Sequence, residues 1–252
     1  MHSRYGLIGF PLSHSFSKKY FTEKFTREAI NSTYELFQID SVHKINDIIG
    51  NYHDLRGFNV TIPYKQQIIP LVNKLSDEAA RIQAVNTVRV VRENGQIMLE
   101  GYNTDAPAFE TELLAFMPKL PKYALILGTG GASAAVAYVL KKLNIEFQLI
   151  SRTPKQSSSS NNILSYEQLS NQLIDKVKLI INCTPVGMYP NSHLSPQIPY
   201  NILTPEHYLF DLVYNPEMTE FLKRGQEHGT QTRNGLGMLY KQADLAWNIW
   251  NR

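Results

Sequence analysis

The sequence predicts an α/β protein of two domains, a mixed-sheet α/β domain followed by a parallel-sheet domain, with an interdomain cleft. Three observations carry this. Short β-rich runs take turns with amphipathic runs over the first hundred residues, the mark of strand and helix in alternation. Two β-rich runs flank Glu93-Asn94-Gly95, a hairpin signal that places an antiparallel pair in the first domain. Beyond Pro118 and Pro121 a second alternation opens with Tyr123-Ala124-Leu125-Ile126-Leu127, and so unbroken an apolar run belongs to a parallel strand covered on both faces.

Taken in order, Tyr5 to Phe10 reads as the first strand. Phe16, Tyr20, Phe21, Phe25 and Ala29 then recur at helical spacing through Phe16 to Ile30, with Ser15 immediately before them as the N-cap. Thr33 to Ile39 is a strand and Val42 to Tyr52 an amphipathic run. A further strand ends in Phe58-Asn59-Val60-Thr61-Ile62-Pro63, and Pro63 is expected to start the next helix, because its fixed φ suits a first helical turn. Val85 to Val91 and Ile97 to Tyr102 form the hairpin, and a helical stretch after Asp105 runs until the two prolines break it. In the second half, Ala134 to Leu143 is a helix, Glu146 to Ile150, Leu179-Ile180-Ile181 and Leu209 to Val213 are strands, and Gln156 to Asn162 is a polar, serine-rich loop expected to be mobile. The last helix, Leu236 to Trp250, carries Leu239, Ala243, Ala246 and Trp250 on one stripe, which must be covered, and the first domain is the surface expected to cover it.

Composition narrows the function. With 252 residues, 43% hydrophobic and 19% charged, the chain has the profile of globular domains and lies far from a disordered one. Lys plus Arg number 25 against 22 Asp plus Glu, and this +3 excess forms no basic stripe or tail, so nucleic acid is not expected as a partner. Cys183 is the only cysteine, which rules out an intrachain disulfide and suits a reducing, cytoplasmic location. The stretch from Met1 to Pro11 is too short and too soon broken for a signal sequence, and no apolar run approaches membrane-spanning length. No membrane association is expected. The seven histidines make no cluster with ligand spacing, so no metal is expected either.

The chemistry-bearing motifs begin after the buried strand, at Gly128-Thr129-Gly130-Gly131-Ala132-Ser133. Strand, glycine turn and helix together suit a pyrophosphate: glycines let the backbone bend and approach closely, and the helix N-terminus offers N–H groups and a positive dipole end. The second domain therefore reads as a Rossmann-like dinucleotide domain, against the plain alternative of an ordinary strand-to-helix turn. About 20 residues further on, where NAD-binding sites place a carboxylate for the ribose hydroxyls, the chain reads Ile150-Ser151-Arg152-Thr153-Pro154-Lys155. Arg152 and Lys155 would attract a 2′-phosphate that a carboxylate would repel, which favours NADP as the cofactor. In the first domain, Lys65 and Asp105 follow strand-like runs. Reduction of a ketone develops an alkoxide that needs a proton donor and a cation, yet by residue type alone such a pair is more often a surface ion pair. Ser13 and Ser15, at a helix entrance, suit a carboxylate, although serines there are more often simple caps.

These motifs together resemble the shikimate dehydrogenase family over nearly the whole chain. The resemblance runs through Gly9 to Ser15, Asn59 to Lys65, Ala84-Val85-Asn86-Thr87, Gly101 to Asp105, Gly128 to Ser133, Ser151-Arg152-Thr153, Asn182 to Met188, Asp211 to Pro216, and Gly235 to Leu239 with Gln242. It implies NADPH-dependent reduction of 3-dehydroshikimate to shikimate, on the route to aromatic amino acids. It implies Lys65 and Asp105 as the catalytic pair, Ser13 and Ser15 on the substrate carboxylate, Thr61, Asn86 and Gln242 on ring hydroxyls, and Tyr214 lining the same pocket. For the cofactor it implies Gly128, Gly130, Gly131, Ala132, Ser151, Arg152, Thr153, Lys155 and Gly237. Residues 1–102 with 235–252 then form the substrate-binding and catalytic domain and residues 103–234 the NADP domain, in a monomer or homodimer.

The chain departs from the family pattern where Ala106-Pro107-Ala108-Phe109 replaces glycines after Asp105, where Ser151 replaces an asparagine, and where Lys155 stands near a usual arginine. Two rival functions share these features: a quinate or other cyclic hydroxy-acid dehydrogenase, and a dinucleotide-sensing module without turnover.

Overall fold

The computed structural model describes residues 2–12, 15–153 and 163–252. By contacts the chain divides into two compact units, Met1–Thr104 with Ala243–Arg252, and Asp105–Gln242.

The first unit contains β1 (Ser3–Gly9), α1 (Phe16–Arg27), β2 (Ser32–Gln38), α2 (Ile45–Asn51), β3 (Leu55–Val60), β4 (Lys74–Leu75), α3 (Asp77–Ile82), β5 (Thr87–Glu93) and β6 (Gln96–Tyr102). Its six-stranded sheet runs β2-β1-β3-β5-β6-β4. Strand β1 is parallel to β2 and β3, whereas β5 is antiparallel to β3 and β6, so the sheet is mixed. The hairpin closes between Glu93 and Gln96 through Asn94 and Gly95, at φ 50° and 77°, the two left-handed residues that a tight two-residue turn requires. Because β1, β2 and β3 run parallel, their carboxyl ends at Gly9, Gln38 and Val60 share one edge of the sheet.

Two local expectations are corrected here. No α-helix starts at Pro63: residues 62–68 form turns, followed by a single 3₁₀ turn at Ile69–Leu71. Pro70 lies seven positions after Pro63; it lacks the N–H that a helix continuing through it would need, and its ring would clash with the carbonyl one turn back. Helix α1 ends at Arg27, so Ala29 leaves its stripe. Ala29 adopts a left-handed φ of 51°, and the Ile30 N–H returns to the Phe25 carbonyl at 2.9 Å, which closes the helix before the chain enters β2.

The second unit contains α4 (Asp105–Phe116), β7 (Tyr123–Leu127), α5 (Gly131–Lys142), β8 (Glu146–Ile150), β9 (Ile163–Leu164), α6 (Asn171–Lys176), β10 (Leu179–Asn182), β11 (Tyr208–Asp211), α7 (Glu220–Gln226) and β12 (Gln231–Arg233). Its sheet, β12-β11-β10-β7-β8-β9, is parallel throughout. Counted from β7, this is the 3-2-1-4-5-6 order of doubly wound nucleotide-binding sheets, with the reversal of winding between β7 and β10. Leu125, Leu127, Ile180 and Leu209 are fully buried in its core, which explains why these strands read as unbroken apolar runs. The expected serine-rich loop at 156–162 lies outside the described residues.

Helix α8 (Leu236–Trp250) is the last element. Its Ala243, Ala246, Ile249 and Trp250 pack with Tyr5, Leu7, Phe21, Phe25 and Tyr34 of the first unit, so this part of its apolar stripe is covered there, while Leu239 falls in the second unit. Phe21 is fully buried in this cluster, a burial that contributes about 2 to 3 kcal/mol.

Candidate active site

The carboxyl edge of the first sheet gathers several of the expected residues. Ser15 is the N-cap of α1, its Oγ accepting the Lys18 N–H at 3.3 Å. The hydroxyl hydrogen can then donate to an anion, and no acidic residue in the first turn of α1 opposes one. Ser13 lies outside the described residues. Thr61 follows β3, and its N–H donates to the Ile8 carbonyl at 2.9 Å while Phe10 N–H donates to the Ile62 carbonyl at 3.1 Å. The two strand ends approach so closely that a Cβ on Gly9 would collide with the Thr61 methyl and stand 2.8 Å from Leu12. Glycine at position 9 is thus what lets the chain at Leu12 and Thr61 pass side by side.

Lys65 sits on the turn after Thr61. Tyr64 anchors that turn, buried and donating its hydroxyl to the Ile39 carbonyl at 2.6 Å. The Lys65 carbonyl accepts from Val85 N–H at 2.7 Å, which brings the backbone of Lys65 beside the segment carrying Asn86. Asn86 is 3% exposed, and its Oδ1 accepts the Thr104 N–H at 2.7 Å. Asn103 donates to the Ala84 carbonyl at 3.0 Å, a second tie between the two segments. Asp105 directly follows Thr104, opens α4 and is 6% exposed. Lys65 thus belongs to the first unit and Asp105 to the second.

In the second unit, β7 runs into Gly128, whose φ of 112° excludes most side chains. A Cβ there would lie 3.0 Å from the Thr184 methyl and 3.4 Å from the Cys183 carbonyl carbon. The turn after β7 therefore abuts the end of β10 at the winding reversal, where open α/β sheets bind their ligands. Gly130 caps α5 without a side-chain hydrogen bond, and the first turn, including Gly131 and Ala132, holds no acidic residue. Among the described residues, no atom beyond the glycine's chain neighbours and its own helix backbone lies within 4 Å of a Cβ placed on Gly130. No packing among those residues calls for that glycine, whereas a phosphate drawn against the backbone would. After β8, Ser151 accepts the Thr153 N–H at 3.3 Å, Arg152 is exposed, and Lys155 lies outside the described residues. This end of β8 carries a cation and no carboxylate, so these residues fit NADP.

Tyr214 is half-buried, and burial raises its phenol above the ordinary range. Gln242 donates to the Leu239 carbonyl at 2.9 Å. A Cβ on Gly237 would meet only the Glu112 carboxylate, the tip of a flexible side chain paired with Arg233 at 2.9 Å, so packing alone does not demand that glycine. Cys183 follows β10, and burial pushes its thiol well above the usual value.

The sequence reading assigned no part to Asn182 and Asp211, which the structure joins behind the winding reversal. Asp211 accepts from Asn182 Nδ2 at 2.9 Å, Val213 N–H at 3.0 Å and the Thr219 hydroxyl at 2.6 Å. Asn182 Oδ1 in turn accepts from the Thr184 N–H at 3.0 Å and hydroxyl at 2.6 Å. The network holds the loops that follow β10 and β11. Burial raises the Asp211 carboxyl to about 6, against the opposing pull of these hydrogen bonds. A signal was present in the sequence: each residue ends an otherwise apolar strand.

Among the described residues, no group of three or more His, Cys, Asp or Glu could hold a metal ion, and no helix is long and apolar enough to cross a membrane.

Comparison with known proteins agrees across both units. The family described as shikimate dehydrogenase substrate binding domain matches residues 7–88. A shikimate dehydrogenase (NADP(+)) of Desulforamulus reducens is 36% identical, over 97% of this chain and 88% of the relative. The crystal structure of shikimate dehydrogenase from Aquifex aeolicus superposes with a TM-score of 0.86 at 33% identity, covering 99% of this chain and 92% of that one. Shikimate 5-dehydrogenase from Thermus thermophilus, solved in complex with NADP(H) and shikimate, gives 0.83 at 30% identity, covering 98% and 93%.

Fold and site define an α/β protein that joins a mixed-sheet unit to a doubly wound nucleotide-binding sheet. The chain belongs to the shikimate dehydrogenase family.

Proposed function

We propose that this chain is an NADP-dependent oxidoreductase, a shikimate dehydrogenase that reversibly reduces 3-dehydroshikimate to shikimate in the synthesis of aromatic amino acids. Full-length similarity to enzymes bearing that name carries the reading. It acts on a small-molecule substrate, as a monomer or homodimer in the cytoplasm, where its lone cysteine stays reduced. Residues 1–102 with 235–252 bind substrate, and 103–234 bind the cofactor. NADPH, when bound, supplies the hydride.

The protein's own residues do the rest. Ser13 and Ser15 hold the substrate carboxylate at the entrance of α1, and Thr61, Asn86, Tyr214 and Gln242 hold and line the ring. Lys65 stabilises negative charge growing on the ketone oxygen and provides its proton, since an ammonium binds an alkoxide more strongly than a ketone. Asp105 accepts from the adjacent substrate hydroxyl, and proton exchange passes through either group. Gly128, Gly130, Gly131 and Ala132 seat the pyrophosphate, with Gly237 beside the cofactor. Ser151, Arg152, Thr153 and Lys155 take the 2′-phosphate end.

Steady-state assays with shikimate and quinate, each with NADP and NAD, test this reading. Shikimate with NADP should give the highest kcat/KM. A higher value for quinate would make the chain a quinate dehydrogenase, and cofactor binding without turnover on either acid would make it a sensing module.

A further inference from the structure

Behind Asn86 lies a buried chain of hydrogen bonds that no catalytic role explains. Tyr34, on β2, is buried with its ring stacked on Phe21 at 4.7 Å. Its hydroxyl donates to Asn59 Oδ1 at 2.8 Å. Asn59 Nδ2 donates to the Thr87 hydroxyl at 3.2 Å and to the Asn86 carbonyl at 3.3 Å. The Thr87 hydroxyl donates onward to Asn86 Oδ1 at 3.1 Å. Every link lies within the first unit.

The polarity of this relay is set at both ends by backbone groups, which cannot reverse their roles. Thr104 N–H can only donate, so the atom it meets on Asn86 is the amide oxygen. The Asn86 carbonyl can only accept, so the atom it meets on Asn59 is the amide nitrogen. Asn59 must then present its oxygen to Tyr34, and Tyr34 must donate. Asn86 Oδ1 is engaged by Thr104 N–H and the Thr87 hydroxyl together, and Asn86 Nδ2 donates to the Thr104 hydroxyl at 2.9 Å, so the amide is held in one orientation.

We propose that Tyr34 is a positioning residue for the substrate ring: through Asn59 and Thr87 it fixes the orientation in which the Asn86 amide meets the ring. This rests on the reading that Asn86 binds a ring hydroxyl. Tyr34 itself touches no substrate; without its hydroxyl, Asn59 loses a buried donor and its grip on Asn86 and Thr87 loosens.

The test uses the full-length enzyme and a double-variant cycle. Tyr34→Phe removes the hydroxyl and keeps the stacked ring. It should raise KM for shikimate by roughly fivefold, the size of one weakened hydrogen bond, with kcat and KM for NADP within about twofold of the parent values, as expected for lost substrate binding. Thr87→Val should repeat this pattern, and Thr87→Ser should recover most of the lost affinity. In the Asn86→Ala background, Tyr34→Phe should add nothing further to KM. Additive losses in that double variant, or equal rises in both Michaelis constants, would overturn the relay while leaving Asn86 as a substrate residue. An Asn86→Ala enzyme with unchanged KM for shikimate would overturn the reading of Asn86, and the positioning role of Tyr34 with it.

Discussion

Trp250 donates its indole Nε1–H to the Val88 carbonyl at 3.0 Å, across 162 residues of chain. The same ring lies over Gly57 on β3, where a Cβ would land inside the indole, and it stacks on Tyr5 at 4.9 Å. The last turn of α8 is therefore keyed into the first sheet by a ring that requires a glycine beneath it. Gly57→Ala should destabilise the protein by about 1 to 3 kcal/mol through overpacking, and Trp250→Phe by about 2 kcal/mol through the lost hydrogen bond and vacated volume. Because the smaller ring relieves the clash, the double variant should cost less than the sum. Urea denaturation of the three variants measures this, and strict additivity would refute the keying.

The Asp211 carboxyl, raised to about 6 by burial, should give folding a pH dependence of known sign. Its unfolded value is near 3.9, so the native state holds the proton more tightly, and the associated stability is present in acid and lost as pH rises from about 4 through about 6. The loss should reach about 3 kcal/mol relative to Asp211→Asn, which has no titrating group there. That variant should be less stable at every pH, since its amide nitrogen faces the donors on Asn182, Val213 and Thr219. The informative quantity is the wild-type-minus-variant difference in denaturation midpoint across about pH 4 to 7. A flat difference would place the Asp211 carboxyl in its ordinary range.

Arg152→Ala should weaken NADP binding by about tenfold or more and NAD binding much less, because the guanidinium has a 2′-phosphate to pair with only in the former. Titration of the free enzyme with each dinucleotide reads this directly. Equal losses for both would remove Arg152 from the phosphate site.

Lys65→Ala should lower kcat by on the order of a hundredfold or more while NADPH still binds, the scale of a lost general acid. Stopped-flow single turnover separates the chemical step from binding. Near-normal turnover with a raised KM would make Lys65 a binding residue instead.

Much of this molecule is written in local order. The buried run Tyr123 to Leu127, the glycine turn after it and the helix from Gly131 are neighbours in sequence, and their relation survives folding unchanged. The Asn94-Gly95 hairpin and the stripe of α8 are legible for the same reason: period and turn chemistry are properties of residues a few positions apart. The helix expected after Pro63 is prevented by a local rule, since Pro70 stands too near.

What tertiary structure alone decided concerns polar partners far apart in the chain. Tyr34 and Asn59 are separated by 25 residues, Asn182 and Asp211 by 29, and Trp250 and Val88 by 162. No periodicity links such pairs. Each isolated Asn, Asp or Tyr in an apolar run marks only that a partner must exist, because a buried polar group left unpaired is costly. The sequence by itself determined the two kinds of sheet, the glycine turn and the residue types of the site. Which donor meets which acceptor was decided when sheet pairing set β3 against β5 and β10 against β11, because hydrogen bonds reach only about 3 Å and only a folded backbone brings distant residues that close.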